Sequence, residues 1–591
     1  MPPKLAACDP CRLSKLACDH SRPVCSRCRD RDKAAACCYR SRPFKKRRVP
    51  PHEPRELGFN LTPSTYTPKH YPNPLYQGSS SHTTLFNHLS SESSQKDDQT
   101  LHKTLVDDEK VSHGASLIRR FRCPPNVLSW IPIVEEWVSK GVNLALADSF
   151  TEQCAQSVRL VLEAEDLEIS TKLFFNSCSP LTATTSEEFC AKFCGDNARW
   201  ETLGLFFTAV SRACLDCTYD DERKRRALSR LAMHYSDLCL ETALSLDCLN
   251  ELQLILQYEN FISHSFIDGD QSYCSWRKIG DVVSSLFALG YHEKFDGTPF
   301  ISSIRQLTFA RAYSADKNIS VFLGRPPRIH QKYCQVLDRN FQWAQDEKFS
   351  YAVDTQWSAL CAVLKEDILD LFREEDYDKK IERAGAIQAD AEAQWEALPP
   401  QFRLEGALKA CDRHPVERDF LVSARLNHLH VLFLLRLALV REVPGPDAQL
   451  LSISTNMLSV VVEAVVLRES LANSGTSVAW KVVYYGLAAA GILCHALLDK
   501  SFGESQVIQD LSVLVAEVNK GALVHIEDPN YALLSRAAQT IKNLLDKVLS
   551  NDYDPLSSPT AHEWNLHDFS ADFWFHLAEH PFLASPDYEF M

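Results

Sequence analysis

Six cysteines in the first 37 residues constrain this chain more than any other feature. Cys8, Cys11, Cys18, Cys25, Cys28 and Cys37 are spaced C-x2-C-x6-C-x6-C-x2-C-x8-C, and Cys38 follows directly. Each of the two C-x-x-C doublets is followed six to eight residues later by a third cysteine, so the segment is an internal duplication. A C-x-x-C turn lets two sulfurs reach one tetrahedral ion, and soft thiolates favour zinc. Two separate four-ligand sites need eight sulfurs. Six serve two ions only if two sulfurs bridge, which makes a binuclear cluster. The competing reading, a disulfide-rich secreted module, is disfavoured: no apolar signal segment precedes Cys8, and the doublets suit a metal better than bridges.

The residues between the cysteines add local structure and charge. Asp9 is expected as a helix N-cap with Pro10 at the first helical position, starting a short helix through Cys11, Arg12, Leu13, Ser14 and Lys15. In the second half Ser26 is expected to cap a matching helix through Arg27, Cys28, Arg29 and Arg31. Helices this short do not persist alone, so metal binding would supply the folding free energy. Residues 1–50 hold 14 Lys and Arg against 4 Asp and Glu. With six thiolates and two zinc ions the segment carries about +8, within a chain of formal net charge −14. A basic module in an acidic chain is the electrostatic footprint of a phosphate-binding surface.

The cysteine order, together with Cys11-Arg-Leu-Ser-Lys-Leu-Ala-Cys18 and the closing Cys37-Cys38-Tyr39, resembles the fungal zinc-cluster transcription factors. The resemblance implies that Cys8, Cys11, Cys18 and Cys25 hold one zinc and that Cys25, Cys28, Cys37 and Cys8 hold the other. Cys8 and Cys25 would then bridge. Cys38 stands at a variable position of that family and is taken as a non-ligand, with a slip from Cys37 to Cys38 as the alternative. The resemblance further implies double-stranded DNA as partner, with Lys15 reading a C-G-G triplet in the major groove. A cationic donor aimed at guanine N7 and O6 is sound chemistry for that contact. Arg12, Arg22, Arg27 and Arg29 would position the backbone. Ser14 stands where the family often has a second basic residue, which removes one contact. Lys45, Lys46, Arg47 and Arg48 continue the basic run and read as a nuclear import or phosphate-binding patch, or else as a solvated charge run.

At 591 residues the chain exceeds one domain, and its 45% hydrophobic and 24% charged residues are ordinary globular values. Of 21 cysteines, 14 are scattered beyond the cluster, which fits a reducing compartment; the expected location is the nucleus. Cys214 and Cys217 form a lone C-x-x-C without partners at metal spacing and read as structural. The uncharged run at 482–498 is shorter than the roughly 20 residues a membrane span needs, so a buried core helix and no membrane are expected.

The expected fold is mainly all-α, in four parts: a zinc-cluster module with its basic extension at 1–48, a flexible linker at 49–115, a large helical regulatory domain at 116–550 and a tail at 551–591. Prolines at 50, 51, 54, 63, 68, 72 and 74 and a Ser-rich stretch mark the linker, where no proper heptad repeat supports a coiled coil. Homodimerisation stays open. Apolar residues recur at helical spacing in 142–162, 199–216, 224–246, 252–267, 354–375, 377–398, 417–440 and 449–471. Trp276-Arg-Lys-Ile-Gly280 with Ala288-Leu-Gly-Tyr-His292, Phe322-Leu-Gly-Arg-Pro-Pro-Arg-Ile329, Tyr484 to Leu493 and Pro529 to Leu549 resemble marks of the same family's helical middle domain. Gly324-Arg325-Pro326 reads as a turn closing a helix. The tail has eight Asp and Glu, no Lys or Arg, and aromatics such as Trp564, Phe569, Phe573, Trp574 and Phe575. That composition suits a segment that binds transcriptional coactivators, or one that docks on the helical domain.

The resulting expectation is a nuclear transcription activator, with a repressor or corepressor-binding scaffold on the same DNA module as the alternative. An enzyme is not expected. No phosphate loop or dinucleotide fingerprint is present, His562-Glu563 and His567 miss the two-histidine protease spacing, and an all-thiolate zinc site is closed to water.

Overall fold

The computed structural model describes residues 7–39, 75–78, 80–82, 106–123, 126–216, 222–337, 339, 341–344, 346, 348–439, 447–472, 478–498, 505–521 and 523–549. Lys45, Lys46, Arg47 and Arg48, most of the expected linker, Cys217 and the whole tail lie outside the described residues. The chain divides into two compact units, Met1–Thr62 and Pro63–Met591.

In the first unit, α1 (Asp9–Leu13) and α2 (Ser26–Arg29) are single turns. Both differ from expectation by about one residue. The cap positions fall on Cys8 and Cys25, whose backbones are extended (ψ 156° and 149°), so Asp9 and Ser26 are the first helical residues and not the caps. Helix α1 ends before Ser14 and Lys15, and α2 ends before Arg31. The reason is visible in the backbone. Lys15 and Asp32 take left-handed conformations (φ 53° and 52°). The next amides then reach back five residues, Leu16 N–H to Cys11 O and Lys33 N–H to Cys28 O, both at 2.9 Å. This is a Schellman-type closure, in which a left-handed residue stops the helix and satisfies its last carbonyls. Its recurrence at an offset of 17 residues carries the sequence duplication into the backbone.

The second unit is built from α-helices, and no strand occurs among the described residues. Its apolar side chains form two large clusters. One is built from residues between Leu117 and Leu256 with Ile301 and Val416, the other from residues between Val353 and Leu545. A smaller cluster around Tyr258, Phe261, Val282, Phe309 and Tyr313 shares helices with both. Glu251–Ile267 sends Leu252 and Leu256 into the first large cluster and Leu254 and Phe261 into the small one. Tyr351–Leu371 bridges in the same way to the second, through Val363 and Leu364.

Most of the helical spacing read from the sequence marks real helices, such as Trp200–Asp216, Glu222–Leu244, Tyr377–Ala397 and Pro415–Leu439. The segment 142–162 is helical only from Thr151, because Gly141 (φ 80°) and the turns after it break the pattern. Helix Asp108–Arg122 starts inside the expected linker, with the Asp107 carboxylate accepting from Lys110 N–H at 2.7 Å. Tyr76, also in that linker, packs on the helical unit: its amide reaches Ala288 O at 2.7 Å and its ring meets His292 edge-on at 4.9 Å. The linker is therefore partly docked.

The marks at Trp276, Gly280 and 322–329 meet in space. Helix Pro299–Leu323 ends at Gly324 in the left-handed conformation (φ 63°), as the turn reading requires. The following segment brings Arg328 over the Trp276 ring at 3.5 Å and onto Trp276 O at 2.8 Å. Arg328 and Ile329 donate their amides to Asp316, which with Glu366 flanks the fully buried Lys317.

Three helices, Pro415–Leu439, Ala448–Val466 and Val478–Leu497, are long and apolar enough to cross a membrane by length and composition. The last is longer than the sequence suggested, since it continues across a π turn at Val482–Gly486. Of their apolar windows, 78%, 50% and 78% are buried inside the fold, so helix packing already occupies most of that surface.

Candidate metal centre

The starts of α1 and α2 bring two cysteine pairs face to face. Sγ of Cys8 lies 3.7 Å from Sγ of both Cys25 and Cys28, and Sγ of Cys11 lies 3.7 Å from Cys25 and 3.9 Å from Cys28. Cys18 Sγ approaches Cys8 Sγ at 3.8 Å, and Cys37 Sγ accepts from the Cys25 amide at 3.4 Å. All are free thiols, at distances far beyond a disulfide bond of about 2.05 Å. A tetrahedral ion with Zn–S bonds of about 2.3 Å holds its sulfurs about 3.8 Å apart. The spacing therefore fits thiolate-bound zinc.

The sulfurs fall into two sets of four, each within 4.8 Å: Cys8, Cys11, Cys18 and Cys25, and Cys8, Cys25, Cys28 and Cys37. Cys8 and Cys25 belong to both and are fully buried. Cys38 is exposed and in neither set; its carbonyl accepts from the Asp9 amide at 2.9 Å. Six clustered cysteines that could hold metal are thus present.

Proton equilibria describe what an ion must displace. Burial pushes Cys8 up and raises Cys28 to about 12. Burial also acts to raise Cys25, but the Cys28 amide and the neighbouring thiols of Cys28, Cys8 and Cys11 outweigh it and hold Cys25 at about 6. The sulfurs cannot all be anions unless cations offset them, and two divalent ions would offset four of the six charges.

Two further residues support the sulfurs: Asp19, which had no signal in the sequence, and Tyr39, which closes the cysteine run. Asp19 ties the halves together, accepting from Ser26 Oγ at 2.6 Å, Ser21 Oγ at 2.8 Å and Ser26 N–H at 3.3 Å. The Ser26 and Ser21 hydroxyls hold its carboxyl down at about 2. Tyr39 donates to Ser21 O at 3.1 Å, lies 3.5 Å from Cys18 Sγ, and carries the Arg22 guanidinium 5.3 Å above its ring. Arg12, Ser14, Lys15, Arg22, Arg27 and Arg29 are all exposed. Only Arg12 among them has an ion pair, to Asp9 at 3.4 Å.

The helical unit also contains a cavity of about 140 Å³ whose lining includes Asp270, Arg311, Asp354, Trp480, Lys481 and Tyr485. Cys214 is buried at the end of the Trp200–Asp216 helix.

No family model, curated protein or solved structure matches this chain.

Proposed function

We propose that the chain is a nuclear, sequence-specific DNA-binding transcription regulator of the zinc-cluster kind. In this reading the six thiolates hold two zinc ions and the first unit grips double-stranded DNA. The observation that carries it is the pair of four-sulfur sets sharing Cys8 and Cys25, set among exposed basic residues. The zinc ions, when bound, supply a fixed scaffold. This chain's own residues do the rest. The left-handed turn at Lys15 puts an exposed ammonium just beyond α1, where a base-edge contact needs a free cationic tip. Arg12, Arg27 and Arg29 offer guanidiniums to phosphates, and Ser14 offers a hydroxyl. Regulation is assigned to the helical unit and activation through coactivators to the acidic, aromatic tail.

The test is a binding comparison on duplexes with and without a C-G-G triplet. Lys15→Ala should lower affinity for the triplet duplex about tenfold or more, since a good base contact contributes ~1–3 kcal/mol, and should barely change non-specific binding. Arg27→Ala should weaken both duplexes alike and reduce the salt slope by about one. Equal losses on both duplexes for Lys15→Ala would contradict the base-reading role.

A further inference from the structure

Far from the cysteine cluster in sequence, three side chains of the helical unit converge around one imidazole. His264 lies in the last turn of Glu251–Ile267, and Asp268, one turn on, is that helix's C-cap residue. Gly269 (φ 82°) reverses the chain and Ser272 caps the next helix, Tyr273–Ala288, with its hydroxyl accepting from Ser275 N–H. That reversal brings Cys274 back to the histidine, its Sγ 3.9 Å from Nδ1. Asp268 Oδ2 lies 2.5 Å from the same Nδ1. The three donor atoms lie within 4.8 Å of one another.

The other ring nitrogen is also held. His264 Nε2 faces Asp237 at 3.0 and 3.2 Å, and Asp237 is itself fixed by Lys278 Nζ at 2.9 Å and Asn260 Nδ2 at 3.0 Å. A carboxylate accepting Nε2–H leaves the Nδ1 lone pair for an acceptor role and locks the ring plane. This is the arrangement that orients metal-bound histidines.

We propose that His264 Nδ1, Asp268 and Cys274 form a mononuclear site for a zinc-class transition-metal ion, with Asp237 as the positioning carboxylate. One nitrogen, one oxygen and one sulfur donor suit a borderline ion such as zinc and not calcium or magnesium, which take oxygen ligands. His264 and Asp268 share a helix face at i and i+4, a spacing that lets two side chains reach one ion. The separation of 2.5 Å between nitrogen and oxygen fits a shared proton. A tetrahedral ion with bonds of about 2.0–2.1 Å needs about 3.3 Å between them. Binding therefore exchanges that proton for the ion and moves Asp268 outward by about 0.8 Å. The Asp268 side chain is 36% exposed at a helix end, whereas that of His264 is 10% exposed and fixed, so the movement falls on the aspartate. The exposed side of Asp268 leaves the fourth position to water.

The alternative for the same geometry is a protonated histidine clamped between two carboxylates with no affinity for metal, and metal stoichiometry separates the two. Full-length protein in which all six N-terminal ligand cysteines are changed to serine would be equilibrated with zinc, and bound metal counted by native mass spectrometry. One zinc per chain is expected, falling to none when Cys274→Ser or His264→Ala is added, with helical circular dichroism retained. With cobalt in place of zinc, the thiolate charge-transfer band should be present in the six-serine background and absent after Cys274→Ser. A folded six-serine chain that binds no metal would overturn the proposal, as would bound metal that survives both added substitutions. Asp237→Asn is expected to weaken zinc at least tenfold without removing a ligand. The outcome is independent of whether the N-terminal cluster binds DNA.

Discussion

Among the described residues of the N-terminal unit, the fully or nearly buried side chains are four cysteines, Cys8, Cys11, Cys25 and Cys28, with Ala7, Val24 and Tyr39 half-buried around them. In the helical unit they include Trp137, Trp200, Trp357, Tyr313, Phe206 and Phe207, packed in clusters of many helices. The described part of the first unit buries little apolar surface besides its sulfurs, and two one-turn helices cannot nucleate unaided. Its fold therefore resides in sulfur chemistry. The second unit's fold resides in apolar burial. The contrast also explains where charge can be placed. A centre held by ligands leaves its whole surface free for cations, whereas a helical unit must spend a continuous face of each helix on packing.

Three experiments would break or sharpen this comparison. The largest effect is expected from metal removal. Structural zinc contributes apparent free energies of about 10–16 kcal/mol in small zinc modules at neutral pH. A strong chelator should unfold residues 8–37, opening Arg12, Lys15, Arg27 and Arg29 to trypsin, while the far-ultraviolet helical signal of the second unit persists. Loss of both together would end the distinction.

The reverse perturbation comes next. Trp200 is fully buried against Phe174, with ring centroids 5.3 Å apart. Trp200→Ala should cost the helical unit about 3–5 kcal/mol in denaturant unfolding. Zinc content of the cysteine cluster should not change. A fall in that zinc content would mean that the two regions do not fold independently.

The smallest effect probes a cation in the helical core with no carboxylate partner among the described residues. Lys365 Nζ is held by Asn318 and Asn427 oxygens, at 2.9 and 2.7 Å, and faces the Tyr484 ring at 5.7 Å. Burial lowers its pKa to about 8. Below that pH both folded and unfolded chains carry the proton, and the folded state bears the full cost of a buried charge. Between about 8 and about 10.4 the folded chain sheds a proton that the unfolded chain keeps, so this group's contribution to stability rises with pH. Lys365→Met should therefore be most advantageous at neutral pH. Its lead over the wild type should shrink by ~1–2 kcal/mol by pH 9.5 in parallel unfolding titrations. A pH-independent difference would show that burial does not lower the pKa of Lys365.

What could be read in advance follows the same division. Ligand spacing along a chain is local information, so the need for two shared sulfurs was legible from six positions, while Cys8 and Cys25 as the shared pair came from the family resemblance. The one-residue shift of α1 and α2 was not, because the cap falls where a sulfur must point inward and not where the best capping oxygen stands. In the helical unit, spacing at three and four located most helices but not their neighbours. The meeting of Trp276 with Arg328, the docking of Tyr76 on Ala288 and His292, and the cavity beside Trp480 depend on residues distant in sequence. The same holds for the His264 constellation. His264 and Asp268 are readable as a helical pair, but Asp237 and Cys274 join them only through packing of three helices. The basic run at Lys45 to Arg48 and the tail fall outside the described residues, and their assigned roles rest on composition.

The most direct test of the central claim is selection of bound duplexes from a random DNA pool by the full-length protein, run with zinc and with chelator. The account predicts enrichment of C-G-G with zinc, as one triplet for a monomer or two at fixed spacing for a dimer. It also predicts loss of that enrichment with chelator and in the Cys8→Ser/Cys25→Ser variant. A pool that stays random with zinc present, or one enriched equally without it, would contradict a zinc-built DNA reader.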